Sequence, residues 1–386
     1  MRVAVFHNLT SGGAKRALYG FVRYLTRQGH TVDAFLPDTA DESFLPLAAV
    51  TRRCEMFPVK RTLVGTLVST VRYMPSAQVS IADLEQTQRR IAAAINQQDY
   101  DVVLAEQDQF VMSPFVLKFL TRPTVYYCQQ PFRILPERDG RLTTRLWIKL
   151  FRNRVLPALD RRNAQSAQRI LANSYFSRDV IRAAYGRDAF VCYLGVDVEV
   201  FRPLDVAREP FVLSVGSITP NKCHDFLVRA LGFVPARRRP RLVLIGNVVD
   251  ASWKNGLERL AAETGVQLEI QTMLSEPELV LQYNRATLFL YAPYREPFGL
   301  APLEAMACRT PVVAVNEGGV RETVQNGKSG VLTERDERSF AVAIERLLLD
   351  EAAQKELGSR GHDAVHALWT VEQAGQRLLK HLPLTS

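Results

Sequence analysis

Tyr291-Ala292-Pro293-Tyr294-Arg295-Glu296-Pro297-Phe298-Gly299-Leu300-Ala301-Pro302-Leu303-Glu304-Ala305-Met306-Ala307 carries more structural information than any other part of this chain. An apolar run ends at Tyr291, the backbone turns at Pro297, and a helix opens near Gly299. The amides of Phe298, Gly299 and Leu300 then point out of the helix end, where an anion can be held. From Pro297 to Cys308 the only charged residue is Glu304, set in the second turn among Leu303, Ala305, Met306 and Ala307. A carboxylate in such company is costly unless donors meet it, and sugar hydroxyls are suitable donors. The plainer alternative is an acid that stabilises a helix N-terminus by ~0.3–1 kcal/mol.

Around this segment, short apolar runs alternate with helical patterns. Val3 to Phe6 is followed by Gly12-Gly13 and a helical stretch from Ala14 to Gln28; Val32 to Leu36, Val102 to Ala105, Thr124 to Cys128, Ile170 to Ala172 and Phe190 to Tyr193 continue the series. A second series runs from Phe211 to Gly216 through Leu242 to Ile245, Leu268 to Ile270, Leu288 to Tyr291, Val312 to Val315 and Gly330 to Leu332. Such alternation predicts an α/β protein with parallel sheets covered on both faces. The expected organisation is a first doubly wound, Rossmann-like domain over 1–197, a linker over 198–210 broken by Arg202-Pro203 and Glu209-Pro210, and a second such domain over 211–365. A C-terminal helix within 366–386 is expected to pack back on the first domain. Two units of this kind facing each other make a cleft at the carboxyl ends of their strands, where ligands bind by default.

The composition sets bounds. At 386 residues, 47% of them hydrophobic and 23% charged, the chain suits two domains and lacks the signature of disorder. A net charge of +9 fits an anionic partner without choosing among nucleotide, phospholipid or nucleic acid. Cys54, Cys128, Cys192, Cys223 and Cys308 are scattered, with no C-x-x-C pair, which argues against structural zinc and a disulfide framework. The opening residues are too short for a signal h-region and no long apolar run follows, so a cytoplasmic protein is expected.

The run E-P-F-G-L-A-P-L-E-A-M-A, a Glu, seven residues and a second Glu, resembles the signature of the retaining glycosyltransferases of family four (glycosyl transferases group 1), which have the GT-B fold. The likeness extends to Thr310-Pro311-Val312-Val313-Ala314, Gly318-Gly319-Val320-Arg321-Glu322-Thr323-Val324, Val215-Gly216-Ser217-Ile218-Thr219-Pro220-Asn221-Lys222, Ala172-Asn173-Ser174 and Gly12-Gly13-Ala14. By that resemblance Glu296 holds hydroxyls of a donor sugar, Glu304 the nucleotide ribose, and the amides from Phe298 to Leu300 the distal phosphate, beside Gly216. Lys222 neutralises the diphosphate. The charge on that leaving group grows as the glycosidic bond breaks, so a cation there acts mainly in the transition state. A solvated surface lysine is the alternative.

Two positions depart from the pattern. Ser217 stands where the family commonly has an arginine of the diphosphate clamp; Asn221, Arg16 and Lys15 are candidates to replace it, the latter two beside the Gly12-Gly13 loop, with side chains turned to water as the other reading. Gln129, in Tyr126-Tyr127-Cys128-Gln129-Gln130-Pro131-Phe132-Arg133, replaces a histidine that family members often carry; the run resembles a mannosyltransferase-like subgroup. Glutamine can position a sugar hydroxyl but cannot titrate.

The resemblance therefore implies transfer of a hexose, with mannose as the specific expectation, from GDP-mannose or a UDP-sugar to a saccharide or lipid-linked saccharide in surface-glycan assembly. It implies no metal and no separate cofactor, since the nucleotide sugar is the substrate. The literal D-x-D, Asp99-Tyr100-Asp101, reads as strand entry. A glycosidase built on the glutamate pair leaves the helix amides and Lys222 with nothing to hold. A nicotinamide oxidoreductase lacks its G-x-G-x-x-G after either opening strand. A non-catalytic nucleotide-sugar-binding or membrane scaffold of the same fold is the other alternative. Residues 141–162, with seven basic residues and Leu142, Leu146 and Leu150 at four-residue spacing, suit an anionic membrane surface or a helix packed on its own domain. Nucleic acid is not expected as a partner.

Overall fold

Residues 1–61, 79–132 and 154–382 are described in the computed structural model. The β-branched and aromatic runs of the first half become seven strands: β1 (Arg2–Asn8), β2 (Thr31–Pro37), β3 (Arg53–Phe57), β4 (Val102–Asp108), β5 (Thr124–Cys128), β6 (Arg169–Ala172) and β7 (Phe190–Val191). They form one parallel sheet in the order β3-β2-β1-β4-β5-β6-β7. Val3 lies opposite Val32 on one side and Val102 on the other, so the apolar runs share one register. Between the strands lie α1 (Gly13–Arg27), α2 (Ile81–Asn96), α3 (Leu156–Ala164) and α4 (Tyr175–Tyr185). Ser80 and Ser174 cap α2 and α4 by accepting the amides of Asp83 and Ser177.

In the second half, β8 (Glu209–Val215), β9 (Arg241–Ile245), β10 (Leu268–Gln271), β11 (Ala286–Tyr291), β12 (Val312–Val315) and β13 (Val331–Thr333) form a parallel sheet in the order β10-β9-β8-β11-β12-β13. Its helices are α5 (His224–Phe233), α6 (Ala251–Thr264), α7 (Glu276–Arg285), α8 (Leu300–Ala307), α9 (Val320–Thr323), α10 (Glu337–Leu348) and α11 (Glu351–Leu368). Val212, Leu242, Leu244, Leu288, Leu290 and Val313 pack with Phe226, Leu227, Phe340 and Ile344 in one buried cluster. Pro210, expected to break regular structure, instead sits in the second position of β8, ahead of the first residue paired with β9, Phe211. A proline there removes no ladder hydrogen bond from that side.

The chain divides into two compact units, Met1–Tyr193 with Ala374–Ser386, and Leu194–Gln373. The last described helix, α12 (Val371–His381), has most of its length in the first unit. A Cβ added to Gly375 would lie 2.2 Å from the Tyr24 ring, so glycine permits a close approach to α1. Arg169 donates to the carbonyl of His381. No helix among the described residues is long and apolar enough to cross a membrane. Of the stretch expected to suit a membrane surface, residues 141–153 lie outside the described residues.

Candidate functional site

In the second unit the strand order reverses at β8 and β11, and the loops leaving their carboxyl ends carry the residues singled out from sequence. A crevice at such a reversal is the favoured ligand position of a doubly wound sheet. Beyond β8 the backbone passes Gly216 and Ser217 to a short turn over Pro220–Lys222, and beyond β11 it runs through Glu296 to α8. These two loops meet: the Tyr294 amide donates to the Asn221 carbonyl at 3.1 Å, and the Lys222 ammonium donates to Glu296 Oε2 at 2.8 Å. Both side chains of that pair remain accessible, at 20% and 21%. The Lys222 stem lies along Gly216, with its Cδ 3.6 Å from where a Cβ there would stand. Gly246 allows the neighbouring strand's end to come in, since a Cβ on it would sit 2.2 Å from the Gly216 carbonyl oxygen.

The loop from Ala292 to Gly299 is fastened from three sides. Arg335 donates to the carbonyls of Ala292 and Pro293 at 3.0 and 2.9 Å, and to Glu317 at 2.7 and 2.8 Å. Burial works to raise Glu317, but the Arg335 guanidinium outweighs it and holds the carboxyl below its usual range. The Gly318-Gly319 turn presses on the same loop: Cβ atoms would lie 2.3 Å from the Glu296 oxygen and 2.1 Å from the Pro297 oxygen, and the Gly319 amide donates to the Glu296 carbonyl at 2.8 Å. Gly299, with φ 93°, is the left-handed N-cap residue of α8, a conformation that glycine adopts without a Cβ penalty. The amides of Gly299 and Leu300 thus stand at the opening of an eight-residue helix.

Glu304 is 5% exposed, and Tyr283 donates to its Oε2 at 2.7 Å. A protein donor, 21 residues away in sequence, therefore supports a carboxylate for which the sequence offered only ligand hydroxyls. Tyr291 is buried beside both Glu296 and Glu304; burial first, then those two carboxylates, raise its hydroxyl well above its ordinary range. His224, next after Cys223, is pushed down to about 3 by burial and by Lys222, so it stays neutral. Ser217 and Asn221 are tied together through Thr219, whose hydroxyl lies 3.0 Å from Ser217 Oγ and donates to Asn221 Oδ1 at 2.5 Å. They bring polarity but no cation to the place of the missing arginine.

In the first unit the order reverses at β1 and β4. Gly12 and Gly13 are exposed in the loop after β1. Lys15, expected as a diphosphate cation, does not face outward: it is fully buried, ion-paired with Glu42 and 3.0 Å from His7 Nε2. Lys15 lies on the buried face of α1, and burying an unpaired cation would cost several kcal/mol, on the order of the Born penalty after relaxation, so Glu42 accompanies it. Burial lowers Lys15, with Glu42 opposing, and takes His7 down to about 4. Arg16, on the next position, is half-buried with its guanidinium 5.3 Å over the Phe44 ring.

Gln129 follows the last residue of β5 at 7% exposure with both ends of its amide engaged, donating to Glu106 Oε1 at 3.1 Å and accepting from Asn173 at 2.9 Å. Glu106 was not singled out from sequence. It is fully buried near the carboxyl end of β4, and burial pushes it up to about 8 against hydrogen bonds from Gln107 and Gln129. Two residues on, Asp108 accepts from Asn8, Gln88 and the amides of Phe110 and Val111, yet burial still raises it to about 6. The two carboxylates of the D-x-D run are engaged, Asp99 with Arg122 and Asp101 with the Arg2 amide. Among the described residues no group of three or more His, Cys, Asp or Glu is placed to hold a metal ion.

Comparison with known proteins adds a second line. A model described as Glycosyltransferase Family 4 matches residues 11–200, and one described as Glycosyl transferases group 1 matches residues 199–363. A D-inositol 3-phosphate glycosyltransferase of Thermobispora bispora is 34% identical over 209 residues, 48% of this chain and 48% of its own. The chain thus spans about half the length of the inositol phosphate glycosyltransferases it matches. The alpha-1,3/1,6-mannosyltransferase ALG2 of Homo sapiens is 24% identical over 321 residues, 74% of this chain and 73% of its own. Among solved structures, a sucrose-phosphate synthase from Thermosynechococcus elongatus has a TM-score of 0.76 at 19% identity, covering 98% of both chains. HepE of Anabaena, in complex with UDP and glucose, has 0.74 at 20%, covering 99% of both. At these identities the structures speak to the fold alone. With the two family models together taking in residues 11–363 and two Rossmann-like parallel sheets beneath them, the chain belongs to glycosyltransferase family 4 and has the GT-B fold.

Proposed function

We propose that the protein is a retaining glycosyltransferase that moves a hexose from a nucleoside diphosphate sugar to a saccharide or lipid-linked saccharide, without a metal. The observation that carries this reading is the Lys222–Glu296 pair, 2.8 Å apart and accessible, beside the Gly299-capped opening of α8. A diphosphate needs a cation and directed amides, and a sugar ring needs a carboxylate acceptor for its hydroxyls; this arrangement offers all three. In the proposed reaction the bond between the sugar's anomeric carbon and the diphosphate oxygen breaks, and the nucleoside diphosphate leaves with the electron pair. The acceptor hydroxyl oxygen forms the new bond on the same face, and its proton goes to a leaving diphosphate oxygen. Lys222 and the α8 amides stabilise the charge that grows there. Glu296 orients the sugar, and Glu304, steadied by Tyr283, accepts from the ribose. The first unit is proposed to receive the acceptor, with Gln129 positioning a hydroxyl.

Mannose from GDP-mannose is the donor we propose, supported by the Cys128-Gln129-Gln130-Pro131-Phe132 run and by the human mannosyltransferase among the relatives. A UDP-sugar is the second reading, favoured by the fold neighbour solved with UDP and glucose. A role in surface-glycan assembly at the cytoplasmic face of a membrane, with residues 141–162 on the lipid surface, belongs to the same proposal. The test is a panel of UDP, GDP and ADP sugars. The true donor at ~100 times its dissociation constant should stabilise the protein by ~2.7 kcal/mol. Product formation in excess chelator, with the donor's anomeric configuration kept by proton NMR, is the expected result. Inversion, or binding without turnover of any sugar in the presence of glycan acceptors, would remove the catalytic assignment.

A further inference from the structure

A cavity of about 880 Å³ opens in the second unit at the amino ends of its strands, the end opposite the loops of the candidate donor site. Its volume falls within the ~300–1,000 Å³ typical of small-molecule sites. The lining is strongly basic, and its charges are not neutralised from within. Among the described residues, Arg208 and Arg239 are held only by backbone carbonyls and one hydroxyl: Arg208 by Ala286, Arg309 and Thr310, and Arg239 by Gly232, Val234, Thr264 and Gly265. Such contacts fix a guanidinium in place while leaving its charge intact. Arg237, Arg309 and Lys355 line the same cavity and, like those two, form no salt bridge among the described residues. Of the other charged lining residues, Arg238 is paired with Glu345 and Glu209 with Arg285, so that, among the described residues, the lining holds one carboxylate without a salt bridge, Glu351, against five such cations.

Arg309 adds a further mark. It follows the C-cap of α8 with φ 57°, the left-handed conformation that helices usually give to glycine at this position. A side chain is retained there at a backbone cost of ~1 kcal/mol or more. Apolar surface from Pro210 and Leu349 lies among the cations and would suit the body of an organic ligand.

We propose that this cavity is a second ligand site, separate from the donor site, that binds a soluble small molecule carrying two or more phosphate groups. Concave shape, fixed uncompensated charge and interspersed apolar walls favour a compact polyanion over a flat lipid surface, although an anionic headgroup offers similar phosphate chemistry. The probe is inorganic tripolyphosphate, titrated calorimetrically into the wild-type protein, the Lys222→Ala variant and the Arg237→Gln/Lys355→Gln double variant, with folding checked by circular dichroism. Both double-variant positions are exposed, so the fold is expected to persist. The expected result is binding that survives in Lys222→Ala, weakens with added salt, and falls at least about tenfold in the double variant, the effect of removing charge-assisted contacts. Equal affinity in the double variant, loss in Lys222→Ala alone, or binding to phosphatidylglycerol vesicles without binding to tripolyphosphate would each overturn the proposal.

Discussion

Glu106 offers a sharp test of the first unit's interior. Replacing it with glutamine keeps the shape, and the new Oε1 can still accept from Gln129, but the titrating proton is gone. Because burial raises the folded carboxyl to about 8, above its unfolded range, the folded state binds the extra proton. Its stability is full below the unfolded pKa and is lost as pH rises through the folded one. The slope approaches ~1.4 kcal/mol per pH unit in the middle of that window and averages about 1 kcal/mol from pH 7 to pH 8. The raised Asp108, at about 6, and the lowered His7, at about 4, contribute little to that upper interval, and the cysteines act equally in both proteins. The stability of Glu106→Gln relative to wild type should therefore rise by about 1 kcal/mol between pH 7 and pH 8. Urea unfolding, followed by hydrogen exchange in peptides from β4 and β5, reads the first unit alone. A stability difference that does not change with pH, or that shrinks, would refute the argument that this carboxyl is held neutral by its burial.

Further expectations come from the second unit. Lys222→Ala should lower the rate about ten- to a hundredfold, the loss of one charge-assisted contact that tightens on bond cleavage, as measured by initial rates of nucleoside diphosphate release. Gly319→Ala forces a Cβ to 2.1 Å from the Pro297 oxygen and should displace the Glu296 loop, cutting turnover roughly a hundredfold while far-UV circular dichroism stays native. Arg335→Ala should destabilise the second unit by about 2–4 kcal/mol in urea titrations, with lysine recovering less than half because it cannot fork between two carbonyls and Glu317. Glu304→Gln should weaken nucleotide binding about tenfold with little change in stability, whereas Tyr283→Phe should cost about 1–3 kcal/mol by leaving a buried carboxylate short of a donor. Calorimetric titration and urea unfolding separate the two.

What was legible in the sequence follows burial on both faces. Thr124–Cys128 and Val312–Val315 are strands over the residues expected, because central parallel strands must be apolar throughout. β3, Arg-Cys-Glu-Met-Phe, escaped notice because it is a half-exposed edge strand whose composition resembles a loop. Glu106 was hidden for the opposite reason: Val102 to Ala105 read as the whole strand, but β4 continues through three polar residues to Asp108 and buries them. Lys15 and Lys222 both follow glycine loops, yet the first is turned inward to Glu42, 27 residues away, and the second remains accessible beside Glu296, 74 residues away. Local pattern locates such a lysine on an element; only the long-range carboxylate decides which way it points. The same limit applies to Glu304, whose partner Tyr283 comes from another helix.

The interval between Tyr193 and Ala374 has a consequence for biogenesis. All seven strands of the first unit emerge from the ribosome before the second unit is made, but the helix segment whose Gly375 lies against Tyr24, and whose His381 carbonyl receives Arg169, emerges after it. The earlier-synthesised half is thus the later one to be completed, and during translation its α1 surface around Tyr24 waits, uncovered, while some 180 residues of a second core are added. Nascent chains stalled before residue 374 should for this reason be more readily cut by protease in α1 than released chains are.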